Sequence, residues 1–213
     1  MTPQGLKPHS HAQRQAIVSQ LVPLWREKFG DNLLAVATAA SFARGSDHAY
    51  SDLEFVVFLT ESPPENEDQY LQRIVDGLLV EAVYVTEESY LREYLTLSAD
   101  WHVSSTAVLG GVYNPEFVDS LTQRIRAMHY PRVHFVARAA RRFYEVQESF
   151  GKVLTAVEQR NTEGVALLLF DATLNLLATL AFLNQQPFVT FATFVSHARG
   201  FKTKPARFVG QTH

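Results

Sequence analysis

The pattern of this chain changes character once, near Tyr130–Pro131, and that change bounds what it can fold into. Before it, short β-branched and aromatic runs alternate with amphipathic stretches; beyond it, every long segment repeats its apolar residues at helical spacing. Ile17, Leu21, Leu24 and Trp25 recur at that spacing between Ala12 and Phe29, and Gly30 follows as a stop, which predicts a first helix bent at Pro23. Leu33–Ala39 (LLAVATA) is too short for a helix bounded in this way and predicts a buried strand; Leu53–Leu59 (LEFVVFL) predicts a second and Leu78–Val85 a third. A polar turn spans Ser41–Ser51, and a Pro-Pro pair marks a loop over Glu61–Asn66. Thr86 stands where it would cap a helix beginning EESYLREYL, whose acidic first turn suits the helix dipole. Past Pro131 the spacing predicts helices over Arg132–Glu158 and Thr162–Asn184 and a shorter piece around Ala192. The expected architecture is α+β over residues 1–128, a small mixed sheet with flanking helices, followed by a helical bundle over residues 129–213.

Composition removes several alternatives. Hydrophobic residues at 46% and charged residues at 19% exclude an intrinsically disordered chain. A net charge of −3 supplies no positive field to gather a phosphate backbone, so nucleic acid is not an expected partner. The absence of Cys excludes a disulfide scaffold, a thiol nucleophile and a thiolate zinc site. Val165–Leu183 has nearly the length of a membrane span, but Asp171 would sit near its centre at a cost of about 3 kcal/mol. A buried helix is therefore expected, and no membrane partner. The opening MTPQGLKPHSHAQRQ lacks the apolar run of a secretory signal, which makes the cytoplasm the expected compartment.

Chemistry concentrates in ASFARGSDHAYSDLEF, residues 40–55. Residues two apart on a strand share a face, so Asp52 and Glu54 present two carboxylates side by side just after a turn. Crowded acids raise one another's pKa, and a divalent cation relieves them; oxygen ligands without Cys favour Mg²⁺. Glu81, set among apolar neighbours in LLVEAVYV, either meets the same metal or faces outward from an edge. Ser41 and Arg44, following the first strand, offer a hydroxyl and a guanidinium to phosphate oxygens. Further on, Arg141, Glu145, Glu148 and Lys152 share one helix face, where they read as an exposed ion-pair ladder or as part of a site. Asp171 and Asn175, one turn apart on an apolar helix, either line a pocket or hydrogen-bond between helices or subunits. His9 and His11 are expected in a mobile tail, His102 in packing, and the Phe188, Phe191, Phe194 group in a core or interface.

Ser41-x-x-Arg44 followed by Tyr50-Ser51-Asp52-Leu53-Glu54 resembles the nucleotidyltransferase motif of the DNA polymerase beta superfamily. VEAVYVTEESYLREYL, Asp100-Trp101 and Val112-Tyr113 then follow in an order similar to its kanamycin (aminoglycoside) nucleotidyltransferase branch, so that the resemblance runs from about Val18 to Thr190. It implies a nucleotidyltransferase fold with a helical C-terminal domain, Asp52, Glu54 and Glu81 holding Mg²⁺, and Ser41 and Arg44 on the phosphates of ATP or another nucleoside triphosphate. Glu148-Ser149-Phe150-Gly151-Lys152 resembles the family segment that supplies a general base and a further nucleotide contact, which implies Glu148 as base, with Glu145 as its rival one turn earlier, and Lys152 on phosphate. The implied reaction moves a nucleoside monophosphate, AMP from ATP, onto a hydroxyl of an aminoglycoside-like molecule. A lincosamide or protein acceptor, and a non-catalytic antitoxin or regulator of the same fold, are the alternatives. The resemblance also implies a homodimer joined through the helices after Tyr130, and a chain short at its C-terminus for the family. One departure is Ala40, where the family usually has Gly, a residue that lets backbone turn freely beside phosphate.

Overall fold

A computed structural model describes residues 5–63, 69–104, 108–206 and 208; part of the expected Glu61–Asn66 loop and of the terminal segments lies outside the described residues. The elements begin with α1 (His11–Phe29), β1 (Leu33–Thr38), α2 (Ala40–Ala43), β2 (Leu53–Leu59), β3 (Tyr70–Val75), β4 (Leu78–Thr86) and α3 (Glu87–Arg92). They continue with α4 (Trp101–Ser104), β5 (Gly110–Tyr113), α5 (Pro115–Arg126), α6 (Arg132–Glu158), α7 (Thr162–Asn184) and α8 (Phe194–Arg199). The chain divides into two compact units, Met1–Thr96 with Ala107–His129, and Leu97–Thr106 with Tyr130–His213.

The first unit is a mixed sheet of order β3-β4-β2-β1-β5, in which only β2 and β4 run parallel. Period-two alternation along β2 and β4 gives the sheet two apolar faces. Leu53, Phe55 and Val57 of β2 with Val80, Ala82 and Tyr84 of β4 meet Ile17, Val18, Leu21 and Trp25 of α1. Val56 and Phe58 point the other way, toward Tyr90 of α3 and Val118 and Leu121 of α5. Reciprocal capping boxes start α1 (Ser10 with Gln13) and α3 (Thr86 with Ser89), satisfying N–H groups the helices cannot. The sequence reading omitted β3, although its hairpin to β4 turns at Asp76-Gly77, both at positive φ (53° and 89°), with Val75 opposite Leu78. Asp-Gly between strands is a strong two-residue hairpin signal. β5 was also missed: two of its four residues are glycine, and pairing with β1 rather than local propensity makes it a strand.

The second unit is built on α6 and α7, joined by Gln159–Asn161, where the Asn161 side chain accepts from Gly164 N at 2.9 Å. Residues 97–104, assigned by sequence to the α+β region, pack instead with this unit. Trp101 stands edge-on to Phe135 at 4.9 Å, Arg138 Nε donates to Leu97 O at 2.8 Å, and Phe188 N donates to His102 O at 2.7 Å. These partners lie on α6 and in the segment after α7, far along the chain, so composition alone gave no boundary there. Helix α7 is long and apolar enough to cross a membrane, with a mean hydropathy of 2.0 in its best window; its second half, Leu177 to Phe182, is buried against other parts of the second unit. Its Asp171 and Asn175 hydrogen-bond to α6, accepting from Ser149 Oγ and from Arg142 Nη1 respectively, which is the structural alternative the sequence left open. Phe188 and Phe194 are buried and stacked at 4.2 Å, while Phe191 is exposed.

Candidate active site

The site is assembled where β1 and β2 meet the turn between them. Ala39 N donates to Glu54 O at 2.9 Å, tying the end of β1 to the start of β2. The chain then enters α2 through Ala40 at φ 50°, a left-handed conformation that a β-carbon disfavours. Ser41 and Arg44 follow on this turn, with Ser46 N donating to Ser41 O at 2.9 Å. Arg44 Nε is buried and, among the described residues, has no acceptor, while the arginine's charge pulls on Glu54. A buried donor without an acceptor is what an incoming anion would satisfy.

The loop that delivers Asp52 is held from α1 by a fully buried arginine. Arg14 Nε and Nη2 donate to Ser51 O (3.1 and 2.8 Å), Nη2 also to His48 O (2.7 Å) and Ala49 O (3.1 Å). Its Nη1 donates to His9 O at 2.8 Å and to Asp47 Oδ2 at 3.0 Å. His11 joins the same knot, with Nδ1 2.7 Å from Asp47 Oδ1 and its ring stacked on Phe42 at 4.5 Å. Burial opposes the Asp47 charge, but the His11 and backbone hydrogen bonds and the charges of His11 and Arg14 hold its carboxyl below the ordinary value. The expected mobile tail is thus corrected: His9 and His11 fasten the N-terminal segment to the loop before Asp52. Nothing local in the sequence marks Arg14, because its partners lie up to 37 residues away.

Asp52, Glu54 and Glu81 face the same side of the sheet, the side away from α1. Glu54 and Glu81 are register partners on the parallel strands β2 and β4, and Asp52 stands two residues before Glu54. Adjacent strands are about 4.8 Å apart, so the three charges feel one another. Burial, then the charge of Glu81, push the Asp52 carboxyl above its ordinary value. Burial, then Asp52 and Glu81, push Glu54 up to about 7, with Arg44 pulling the other way. Three carboxylates with no nitrogen or sulfur donor suit a hard cation such as Mg²⁺. Yet among the described residues no three Asp, Glu, His or Cys side chains are grouped closely enough to hold a metal ion as they stand. Glu81 Oε1 accepts from Gln72 Nε2 on the neighbouring β3. A cavity of about 620 Å³, lined by Leu59, Thr60, Thr86, Glu87 and Arg124, opens at the far ends of β2 and β4 from these acids.

Ser41, Arg44, Asp52, Glu54 and Glu81 therefore belong to the first unit, and Glu148 and Lys152 to the second. On α6, Lys152 Nζ donates to Glu148 Oε1 at 2.7 Å and Arg141 pairs with Glu145 at 3.1 Å, both at i,i+4. The hydrogen bond and charge of Lys152 hold the Glu148 carboxyl below its ordinary value. The ladder expected as the plainer alternative is present; Lys152 and Glu148 are both exposed.

No family model matches the sequence, and no curated protein matches it. Among solved structures the chain is similar to a nucleotidyltransferase-like protein from Exiguobacterium sibiricum, at a TM-score of 0.46 and 15% identity, over 85% of this chain. The match spans 62% of that protein, less than two thirds of its length. A likeness so distant leaves the functional reading to the residues themselves.

Proposed function

We propose that this chain is a magnesium-dependent nucleotidyltransferase of the cytoplasm, transferring AMP from ATP to a hydroxyl of a small cationic acceptor of the aminoglycoside kind. The observation that carries the reading is the row of Asp52, Glu54 and Glu81 on one sheet face, with the charge of Arg44, whose buried Nε has no acceptor among the described residues, acting on Glu54. Asp52, Glu54 and Glu81 would hold the metal, Glu81 giving up Gln72 to do so. When bound, Mg²⁺ supplies neutralisation of phosphate charge and of the attacking and leaving oxygens. Ser41 and Arg44 hold phosphate oxygens, and Lys152 adds a further contact. The acceptor hydroxyl attacks the α-phosphorus, its proton passes to the Glu148 carboxylate, and the bond to pyrophosphate breaks. In the free chain Lys152 keeps Glu148 a weak base; a Lys152 drawn to phosphate leaves that carboxylate readier to take the proton. Most of the rate comes from positioning and charge stabilisation.

A second reading, a regulator or antitoxin of this fold without turnover, draws on two observations: the strained Ala40 beside the phosphate turn, and the carboxylates' dispersed arrangement. Transfer of α-labelled ATP with Mg²⁺ to a panel of aminoglycosides, lincosamides and proteins separates the readings. Label on a small cationic acceptor supports the first, lost in Asp52→Ala and slowed without weakened ATP binding in Glu148→Gln. ATP binding with no labelled acceptor favours the second.

A further inference from the structure

One side-chain hydroxyl stands against the acid row itself. On the edge strand β3, Gln72 is the register partner of Glu81 and Tyr70 the partner of Val83, so both point to the face that carries Asp52, Glu54 and Glu81. A diagonal neighbour on an adjacent antiparallel strand lies about 7–8 Å away, within reach of an aromatic side chain. Tyr70 makes that reach: its hydroxyl hydrogen-bonds to the Glu81 carboxylate and feels the charges of Glu54 and Asp52. The residue is 45% exposed, so a ligand can come to it. Two other hydroxyls on this side of the unit are engaged elsewhere. Ser51 Oγ accepts from His48 N at 2.9 Å, and Thr38 Oγ1 donates to Gly110 O at 3.3 Å. The order of strands gives the Tyr70 hydroxyl a direction. Across the sheet run β3, β4, β2 and β1. Arg44, on the turn after β1, acts on Glu54 from one end of the row, and Tyr70 meets Glu81 at the other.

We propose that Tyr70 is itself an acceptor, and that the chain transfers AMP from ATP onto its own Tyr70 hydroxyl. The inference rests on the transferase reading above and adds a second substrate to the same site. In phosphoryl transfer the attacking and leaving oxygens stand roughly in line on opposite sides of phosphorus. With the phosphates on Ser41 and Arg44, pyrophosphate leaves toward β1, and the attacking oxygen comes from the β3 side, where Tyr70 lies. The Tyr70 oxygen forms a bond to the α-phosphorus, and the bond from that phosphorus to the oxygen bridging it to the β-phosphate breaks. Pyrophosphate departs with that electron pair, and the phenol proton passes along its hydrogen bond to the Glu81 carboxylate and on to water. The product is a tyrosine phosphodiester that keeps its nucleotide over the acid row. A modified chain therefore excludes a small acceptor from the side that it must use, which makes self-transfer a brake on the same site.

The full chain is incubated with α-labelled ATP and Mg²⁺ and no small acceptor. Label stays with the denatured chain, and peptide mass mapping places one AMP on Tyr70. Tyr70→Phe, which keeps the ring and loses only the hydroxyl, takes up no label, binds ATP within twofold of wild type by calorimetry and still labels a small acceptor. A readout without turnover accompanies it. Mg²⁺ with a non-hydrolysable ATP analogue changes the ultraviolet absorbance of tyrosine in wild type, and most of that change is absent from Tyr70→Phe. Label on another residue, a Tyr70→Phe chain that labels itself as wild type does, or an absorbance change equal in the two chains overturns the proposal. A wild type that labels a small acceptor and never itself overturns this inference and leaves the transferase reading standing, whereas one that labels neither overturns both.

Discussion

Replacing Ala40 by glycine should stabilise the protein, which runs against the usual effect of putting glycine into a helix. Ala40 opens α2 at φ 50°. A left-handed backbone brings Cβ against the following carbonyl, at roughly 1–2 kcal/mol for a residue with a side chain. Glycine removes that strain but makes the unfolded chain more flexible, which takes back about 0.4–1 kcal/mol. The net gain is therefore about 0.5–1 kcal/mol, equivalent to a rise in Tm of roughly 1–4 °C for a chain of this size. Differential scanning calorimetry of Ala40→Gly against wild type measures it, with Asp76→Gly as an internal comparison. Asp76 also has a positive φ, 53°, but sits in a hairpin turn where Asp tolerates the left-handed region, so its replacement should gain less. An Ala40→Gly variant that melts below wild type would refute the strain, and with it the argument that alanine is a poor fit at this turn.

Arg14→Met should cost about 3 kcal/mol in urea unfolding, because it leaves the buried carbonyls of His9 and Ser51 without their donor and takes the guanidinium from Asp47, while His48 O, Ala49 O and Asp47 keep donors in Ser51 N, His9 N and His11. Arg14→Lys should recover little of it, since an ammonium cannot reproduce the planar fork; a loss under about 1 kcal/mol in Arg14→Met would contradict the clamp. Stability should also fall as pH rises from about 4.5 through about 7, because Glu54 binds its proton more tightly folded than unfolded, and what this proton contributes is complete only below the ordinary carboxylate value. The full shift would correspond to about 3 kcal/mol, which residual hydration of the side chain reduces to about 1–2 kcal/mol. Glu54→Gln should flatten this part of the stability–pH curve, and a variant curve parallel to wild type would show that another group is responsible.

Legibility followed the length and regularity of each pattern. α6 and α7 were bounded correctly at Arg132, Glu158, Thr162 and Asn184 because their apolar positions recur over many turns, and β2 was read to the residue at Leu53 and Leu59. β3 is half-exposed on an edge, so its alternation is weak, and the legible mark was the Asp76-Gly77 turn rather than the strand. Asp52 and Glu54 were visible as a pair because strand periodicity is local. Their alignment with Glu81 is a matter of register between strands 27 residues apart, which no local pattern fixes. Arg14 was invisible for the same reason in stronger form. An arginine on an amphipathic helix reads as solvated, and only the folded loop at 47–51 turns it into a buried clamp.

The register of β2 against β4 explains why the acid row holds a proton at all. A slip of one residue would carry Glu81 to the face covered by α1, among Leu53, Phe55 and Trp25, where an unpaired carboxylate costs far more than repulsion does. Packing on that face therefore forces Glu81 beside Glu54, and Arg14 fixes the loop that brings Asp52 to them. Arg44 answers part of the accumulated negative charge, and at neutral pH a proton shared over Glu54 answers more. Under the proposed magnesium reading, a proton and a cation would be alternatives for one excess of charge, and Mg²⁺ affinity measured by titration calorimetry should then rise with pH across the range in which Glu54 titrates. By fixing which acids are neighbours, the apolar core sets how much negative charge accumulates on this face.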